Sequence, residues 1–172
     1  LPISNLKEGH VDLGDYDHFM QKEIFEQPQA IRDTLESRVT KKSILVSAFG
    51  HKARDIFKKV KQVQIIACGS SFNAGLVAKY WLEDISKLPC NVEIASEYRY
   101  RNPIILDETL FVNISQSGET ADTLAALKSA KKNNKKIYTL SITNSSESSI
   151  TRNSNLTFLT NAGPEIGVAS TK

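Results

Sequence analysis

Two short segments carry residue types whose chemistry goes beyond packing: Cys68-Gly69-Ser70-Ser71-Phe72-Asn73 and Ser115-Gln116-Ser117-Gly118-Glu119-Thr120. Each is rich in hydroxyls, contains glycine, and runs from an apolar stretch into a helical pattern. A helix N-terminus offers unpaired backbone N–H groups and a positive dipole end, which together attract an anion. Ser and Thr hydroxyls add directional donors, and glycine lets the backbone approach a ligand or adopt positive φ. Two such turns facing one crevice suit a phosphate held without lysine or metal. Helix capping alone would also use Ser70, Ser71, Ser117 and Thr120. Two turns with more hydroxyls than one cap needs favour the phosphate.

Named nucleotide motifs are absent. The Gly69–Gly75 stretch lacks the G-x-G-x-x-G spacing, and no G-x-x-x-x-G-K-[ST] loop occurs, which argues against dinucleotides and ATP. The expected ligand is a small phosphorylated molecule. His10, His18 and His51 have no metal-ligand spacing, so no metal or cofactor is expected. Cys68 could be a nucleophile at a helix start, but a small buried side chain is the simpler reading. Glu97, Glu119 and Glu165 could do acid–base work; Glu119 would also suit a helix start for electrostatic reasons alone.

The elements that must position these turns follow from hydrophobic periodicity. Short apolar runs at Gln64–Cys68, Asn91–Ala95, Leu110–Ser115, Lys136–Thr143 and Leu156–Thr160 predict five strands. Helical patterns fall at Phe72–Ile85 and Glu119–Asn133, the latter with Leu124, Leu127 and Ala130 inward. Before them, Phe19–Arg38 reads as helical but broken or kinked at Pro28, with Ile24, Ile31 and Leu35 on one face. Thr40–Val60 also reads as helical, with Gly50 a possible interruption. Tyr80 and Trp81 are expected in core or interface packing. Strands alternating with helices imply a parallel sheet covered on both faces. The predicted fold is α/β, a three-layer α/β/α sandwich around a mainly parallel five-stranded sheet, preceded by an N-terminal helical arm. Residues 1–60 are assigned to linker and arm, and 61–172 to the sheet domain. In such sheets ligands bind beyond the carboxyl ends of the strands, where both hydroxyl-rich turns fall.

Composition excludes other classes. The 172 residues are 40% hydrophobic and 24% charged, so the chain is not broadly disordered. A net charge of +3 and no interleaving of aromatic with basic residues give no nucleic-acid surface. No apolar stretch is long enough to span a membrane. The two cysteines cannot form a disulfide framework and suit a reduced, cytoplasmic setting. The chain starts at Leu1-Pro2 and stops at Lys172 without a stop signal, and reads as a piece of a longer one.

At the two turns the sequence resembles the sugar isomerase (SIS) domain family. Within it, the chain is similar to the first half of the isomerase domain of the glutamine–fructose-6-phosphate aminotransferases. The resemblance is carried by Lys22-Glu-Ile-Phe-Glu-Gln-Pro28, Ala67-Cys-Gly-Ser-Ser71, Glu93-Ile-Ala-Ser-Glu-Tyr-Arg-Tyr100, Ser115-Gln-Ser-Gly-Glu-Thr-Ala-Asp-Thr123 and Asn161-Ala-Gly-Pro-Glu-Ile-Gly-Val-Ala-Ser-Thr-Lys172. Ser70 stands where the family usually has threonine, which keeps the hydroxyl.

The resemblance implies that fructose 6-phosphate binds with its phosphate on Ser115, Gln116, Ser117 and Thr120. Ser70 and Ser71 would complete the site, and Val168 would line the sugar end. It implies an enzyme that takes ammonia from glutamine, makes glucosamine 6-phosphate and works as a homodimer. The family's acid–base groups lie outside the segments matched here, so no catalytic residue is assigned. The alternative is a sugar-phosphate-sensing module of a regulator; a flavodoxin-like flavin binder is a more distant one.

Overall fold

Runs of β-branched and other apolar residues form the centre of the molecule. In the computed structural model, which describes residues 12–134, 136–168 and 171–172, five strands make one sheet: β1 (Gln62–Ala67), β2 (Cys90–Ile94), β3 (Thr109–Ile114), β4 (Tyr138–Thr143) and β5 (Leu156–Leu159). Their order is β2-β1-β3-β4-β5 and every pairing is parallel. β1 and β3 lie at the centre, with Ile65 opposite Val92 on one side and Val112 on the other. Covered on both faces, they contain consecutive buried residues, as parallel strands in α/β folds do.

The helices supply the two outer layers. On one face Val63, Ile65, Leu110, Val112, Leu140 and Leu156 pack with Ala53 and Ile56 of α2 (Ala53–Phe57) and with α3 (Gly69–Ile85) through Ala78 and Leu82. On the other, Ile66 and Phe111 meet α4 (Ala95–Tyr98), α5 (Ala121–Asn133) and α6 (Ser149–Arg152) through Tyr98, Ala126, Leu127, Ala130 and Ile150. Leu127 and Ala130 are fully buried as expected, and Leu124 packs at the edge of this cluster. The three-layer fold is that expected from the sequence.

The N-terminal arm is helical as expected but differs in detail. α1 (Phe19–Leu35) runs through Pro28 as one helix. Pro28 is exposed, where water can reach the Ile24 carbonyl that has lost its donor. The buried face of α1 carries Glu23 and Ala30, whereas Ile24, Ile31 and Leu35 remain exposed. The expected helix over Thr40–Val60 is mostly absent. The Thr40 hydroxyl accepts the Ser43 N–H at 3.0 Å and closes a tight turn, flanked by the antiparallel bridge of Val39 and Ile44. This is the usual competition between short polar side chains and helix formation. Only a 3₁₀ turn at Val46–Phe49 and the five residues of α2 remain helical, separated at Gly50. Tyr80 and Trp81 are not in the core of this chain: they are 71% and 64% exposed. The expected linker is described only from residue 12 onward, so Gly9 and His10 lie outside the described residues.

Candidate functional site

The strand order reverses direction between β1 and β3, and at such a switch point the two connecting turns diverge and leave a crevice. Cys68–Ser71 leaves β1 and enters α3; Ser115–Thr120 leaves β3 and enters α5. Both turns meet the crevice with positive φ at a glycine, +58° at Gly69 and +67° at Gly118. The hollow between them holds about 300 Å³ and is lined by Cys68, Gly69, Ser70, Ser71, Ile114, Ser115, Gln116, Ser117 and Thr120. Six of the seven residues expected to bind ligand are therefore brought together.

The β3–α5 turn is tied within itself and from behind. Ser115 Oγ lies 2.8 Å from Thr120 Oγ1 and accepts the Gly118 N–H at 3.1 Å. The Gln116 carbonyl accepts the Asn144 N–H at 2.9 Å and the Thr143 hydroxyl at 3.1 Å, which anchors the turn to the end of β4. Gly118 is packed so closely that a Cβ there would sit 2.1 Å from Ser148 Oγ. Thr143 and Asn144 were not singled out in the sequence; they end and follow β4 without any local motif.

The other turn is open. The Ser70 and Ser71 hydroxyls have no hydrogen-bond partner among the described residues, and neither α3 nor α5 receives a side-chain cap. Thr120, the residue at the α5 cap position, points its hydroxyl to Ser115 instead. Helix capping therefore does not account for the hydroxyls of Ser70, Ser71 or Thr120. No charged side chain lines the hollow. What it presents to an anion is neutral donors together with the positive ends of two helices, of 17 and 13 residues.

A second cavity of about 420 Å³ adjoins the first and shares Ser70, Ser71, Ile114, Ser115 and Gln116 with it. Its far wall is α1, through Ala30, Ile31, Thr34 and Leu35, and Thr160, Ala162, Glu165 and Lys172 complete it. The arm and the C-terminal segment thus face the site.

The candidate acid–base groups separate. The Glu119 carboxylate turns away from the hollow and accepts the Ser149 N–H at 2.6 Å. That bond, with help from the Ser149 side chain and Arg152, holds it below the usual carboxylate range. Glu97 lines neither cavity, whereas Glu165 lines the larger one and accepts the Lys172 N–H at 2.9 Å. Cys68 is half-buried and lines the hollow, while Cys90 is buried beneath α3. Val168 is 57% exposed and lines neither cavity. Among the described residues there is no cluster of three or more His, Cys, Asp or Glu able to hold a metal.

Known proteins resemble this chain in sequence and in fold. A glutamine–fructose-6-phosphate aminotransferase (isomerizing) of Pseudomonas putida is 58% identical over 161 residues, 94% of this chain and 26% of the relative. That of Vibrio parahaemolyticus is 52% identical over 169 residues, 98% of this chain and 28% of the relative. The chain thus spans about a quarter of the length of the curated relatives it matches. Among solved structures, the C-terminal domain of the glucosamine–fructose-6-phosphate aminotransferase of Francisella tularensis superposes with a TM-score of 0.86 at 49% identity, covering 91% of this chain and 44% of that one. A glucosamine-6-phosphate deaminase of Thermotoga maritima does so at 0.66 and 25%, covering 86% and 41%. The SIS domain model matches residues 56–172, a span that contains both turns and all five strands. A parallel sheet with paired serine turns at its switch point is thus accompanied by a family match over most of the chain, which belongs to the SIS domain family.

Proposed function

We propose that this chain binds fructose 6-phosphate and is the phosphate-gripping half of the isomerase domain of a glutamine–fructose-6-phosphate aminotransferase. Ser115, Gln116, Ser117 and Thr120 hold the phosphate, Ser70 and Ser71 close the site from the β1 side, and Val168, though it lines neither cavity, belongs to the segment between Glu165 and Lys172, two residues that line the sugar cavity. Residues 1–60 act as linker and arm, and 61–172 as the first SIS subdomain. The whole enzyme would take ammonia from glutamine, release glutamate and yield glucosamine 6-phosphate, as a homodimer in the cytoplasm. No helix among the described residues is long and apolar enough to cross a membrane.

The observation that carries the reading is the pair of unpartnered hydroxyls, Ser70 and Ser71, facing the tied Ser115–Thr120 turn across an uncharged hollow. Preorganised neutral donors at two helix N-termini suit a dianion and suit an unphosphorylated sugar poorly. The adjoining cavity gives the sugar room. The regulator alternative is not favoured, because the matched curated relatives are named as aminotransferases.

Titration calorimetry with fructose 6-phosphate and with fructose tests the proposal. The phosphorylated sugar should bind with a Kd on the order of millimolar, and fructose should give no saturable heat. Equal binding of the two would overturn it.

A further inference from the structure

Glu23 is the one carboxylate among the described residues that is almost wholly buried, at 3% exposure, and it lies on α1. Its Oε1 accepts the backbone N–H groups of Ile166 at 2.5 Å and Gly167 at 2.9 Å; its Oε2 accepts the Thr171 hydroxyl at 2.8 Å. Burial alone would push this carboxyl up, but the three donors, with Lys172 nearby, outweigh it and hold the group below the usual carboxylate range. Two further contacts bind the same two segments. Gln27 Nε2 donates to the Thr171 carbonyl at 2.5 Å, and Lys172 Nζ pairs with Glu26 at 2.5 Å. Gly167 sits so close to α1 that a Cβ there would be 2.6 Å from the Met20 nitrogen.

These contacts join two walls of the larger cavity. One is α1, through Ala30, Ile31, Thr34 and Leu35; the other holds Glu165 and Lys172, at either end of the segment that Glu23 grips. Neither wall touches the phosphate hollow, whose lining comes from the two serine turns and Ile114. A group that sets the distance between the walls would act on the sugar and leave the phosphate alone.

We propose that Glu23 is a positioning residue for the sugar: its carboxylate holds Ile166, Gly167 and Thr171 against α1 and so sets the width of the cavity beside the phosphate hollow. The inference rests on the sugar-phosphate reading above. Glu23 touches no reacting atom; it acts through the backbone of Ile166 and Gly167. A glutamine would fit the niche but hold it more weakly: its oxygen can still accept the Ile166 and Gly167 N–H groups, yet those bonds lose their charge and the amide nitrogen meets the Thr171 hydroxyl as a donor.

The test compares two ligands on two variants of the chain by amide NMR titration. In the native protein both inorganic phosphate and fructose 6-phosphate should shift the Ser115–Thr120 amides. Glu23→Gln should weaken fructose 6-phosphate about tenfold, the range for losing hydrogen bonds to a charged group, and leave inorganic phosphate within twofold. Its Gly167 amide should also exchange faster with solvent. Thr171→Val removes one donor and leaves the carboxylate in place, so it stays readable if the first variant does not fold; it should weaken the sugar phosphate about threefold and phosphate not at all. Variants that bind fructose 6-phosphate as the native chain does, or that lose both ligands in parallel, would overturn the role of Glu23 alone. A native chain that binds neither ligand would overturn the sugar-phosphate reading, and this inference with it.

Discussion

Ser115 and Thr120 face each other across the β3–α5 turn with their hydroxyl oxygens 2.8 Å apart, while Ser117, two residues further along from Ser115, is exposed at its tip. The two serines should therefore respond differently to substitution. Ser115→Ala leaves the Gly118 N–H and the Thr120 hydroxyl without their partner, in a site where Ser115 is 4% exposed. It should cost about 1–3 kcal/mol of stability, read as a lower urea midpoint. Ser117→Ala gives up only the exposed contact to the Glu119 N–H, so the midpoint should stay within about 0.5 kcal/mol of the native value. Its loss should appear in sugar-phosphate affinity, by about 1.5–3 kcal/mol for a donor to a charged acceptor. A Ser117 variant that unfolds early and binds normally would restore the view that the turn is a helix cap.

Gly118 is constrained twice. Its φ of +67° disfavours any side chain, and a Cβ would lie 2.4 Å from Ser148 Cβ and 2.9 Å from Thr143 Oγ1. Gly118→Ala should therefore combine backbone strain with overpacking, for a loss of about 2–5 kcal/mol. Thermal unfolding followed by circular dichroism measures it. Ser148→Ala on the same background should recover little of the loss, because the Ser148 Cβ still clashes and the hydroxyl that caps α6 through the Thr151 N–H is gone.

The strands and the binding turns were legible because their signals are local. β1 and β3 are short apolar runs ending in Gly- and Ser-containing turns, and periodicity identifies such runs. The helix of the arm was legible too, but the face it buries was not, for a different reason. Glu23 reads as one more charge on an amphipathic helix, and its burial depends on donors 143 and more residues away. Likewise α4 and α6, four residues each, are too short to show a period. The stretch after α1 failed because apolar spacing says nothing of the Thr40–Ser43 turn that displaces the helix.

Stability should depend on pH through Glu23. Its carboxyl is held below the usual range when folded, so the folded state favours the ionised form. The contribution is fully present above the ordinary glutamate value and is lost as pH falls through the lower folded value. Urea midpoints of the native chain should fall more steeply below pH 5 than those of Glu23→Gln. Parallel slopes would show that the carboxylate is not ionised in its niche.

Catalysis by the chain alone is not expected. The groups lining the phosphate hollow are hydroxyls, an amide, backbone N–H groups and the Cys68 thiol, with no carboxylate, imidazole or amine among them. General acid–base work needs a titratable group within about 3 Å of the proton it moves. Fructose 6-phosphate incubated with the purified chain and ammonia should yield no glucosamine 6-phosphate above background. Turnover would direct attention to Glu165, the candidate carboxylate that lines the adjoining cavity.

The grip of Glu23 on Ile166 and Gly167 also bears on how the molecule assembles. It closes a loop of more than 140 residues, whereas the sheet grows between strands that are near neighbours in the chain. Closing so long a loop is entropically unfavourable until the intervening elements have condensed. The grip is therefore expected to form late, after the sheet, so that weakening it should accelerate unfolding and leave the folding rate nearly unchanged, with the wall of the sugar cavity opening before the sheet does.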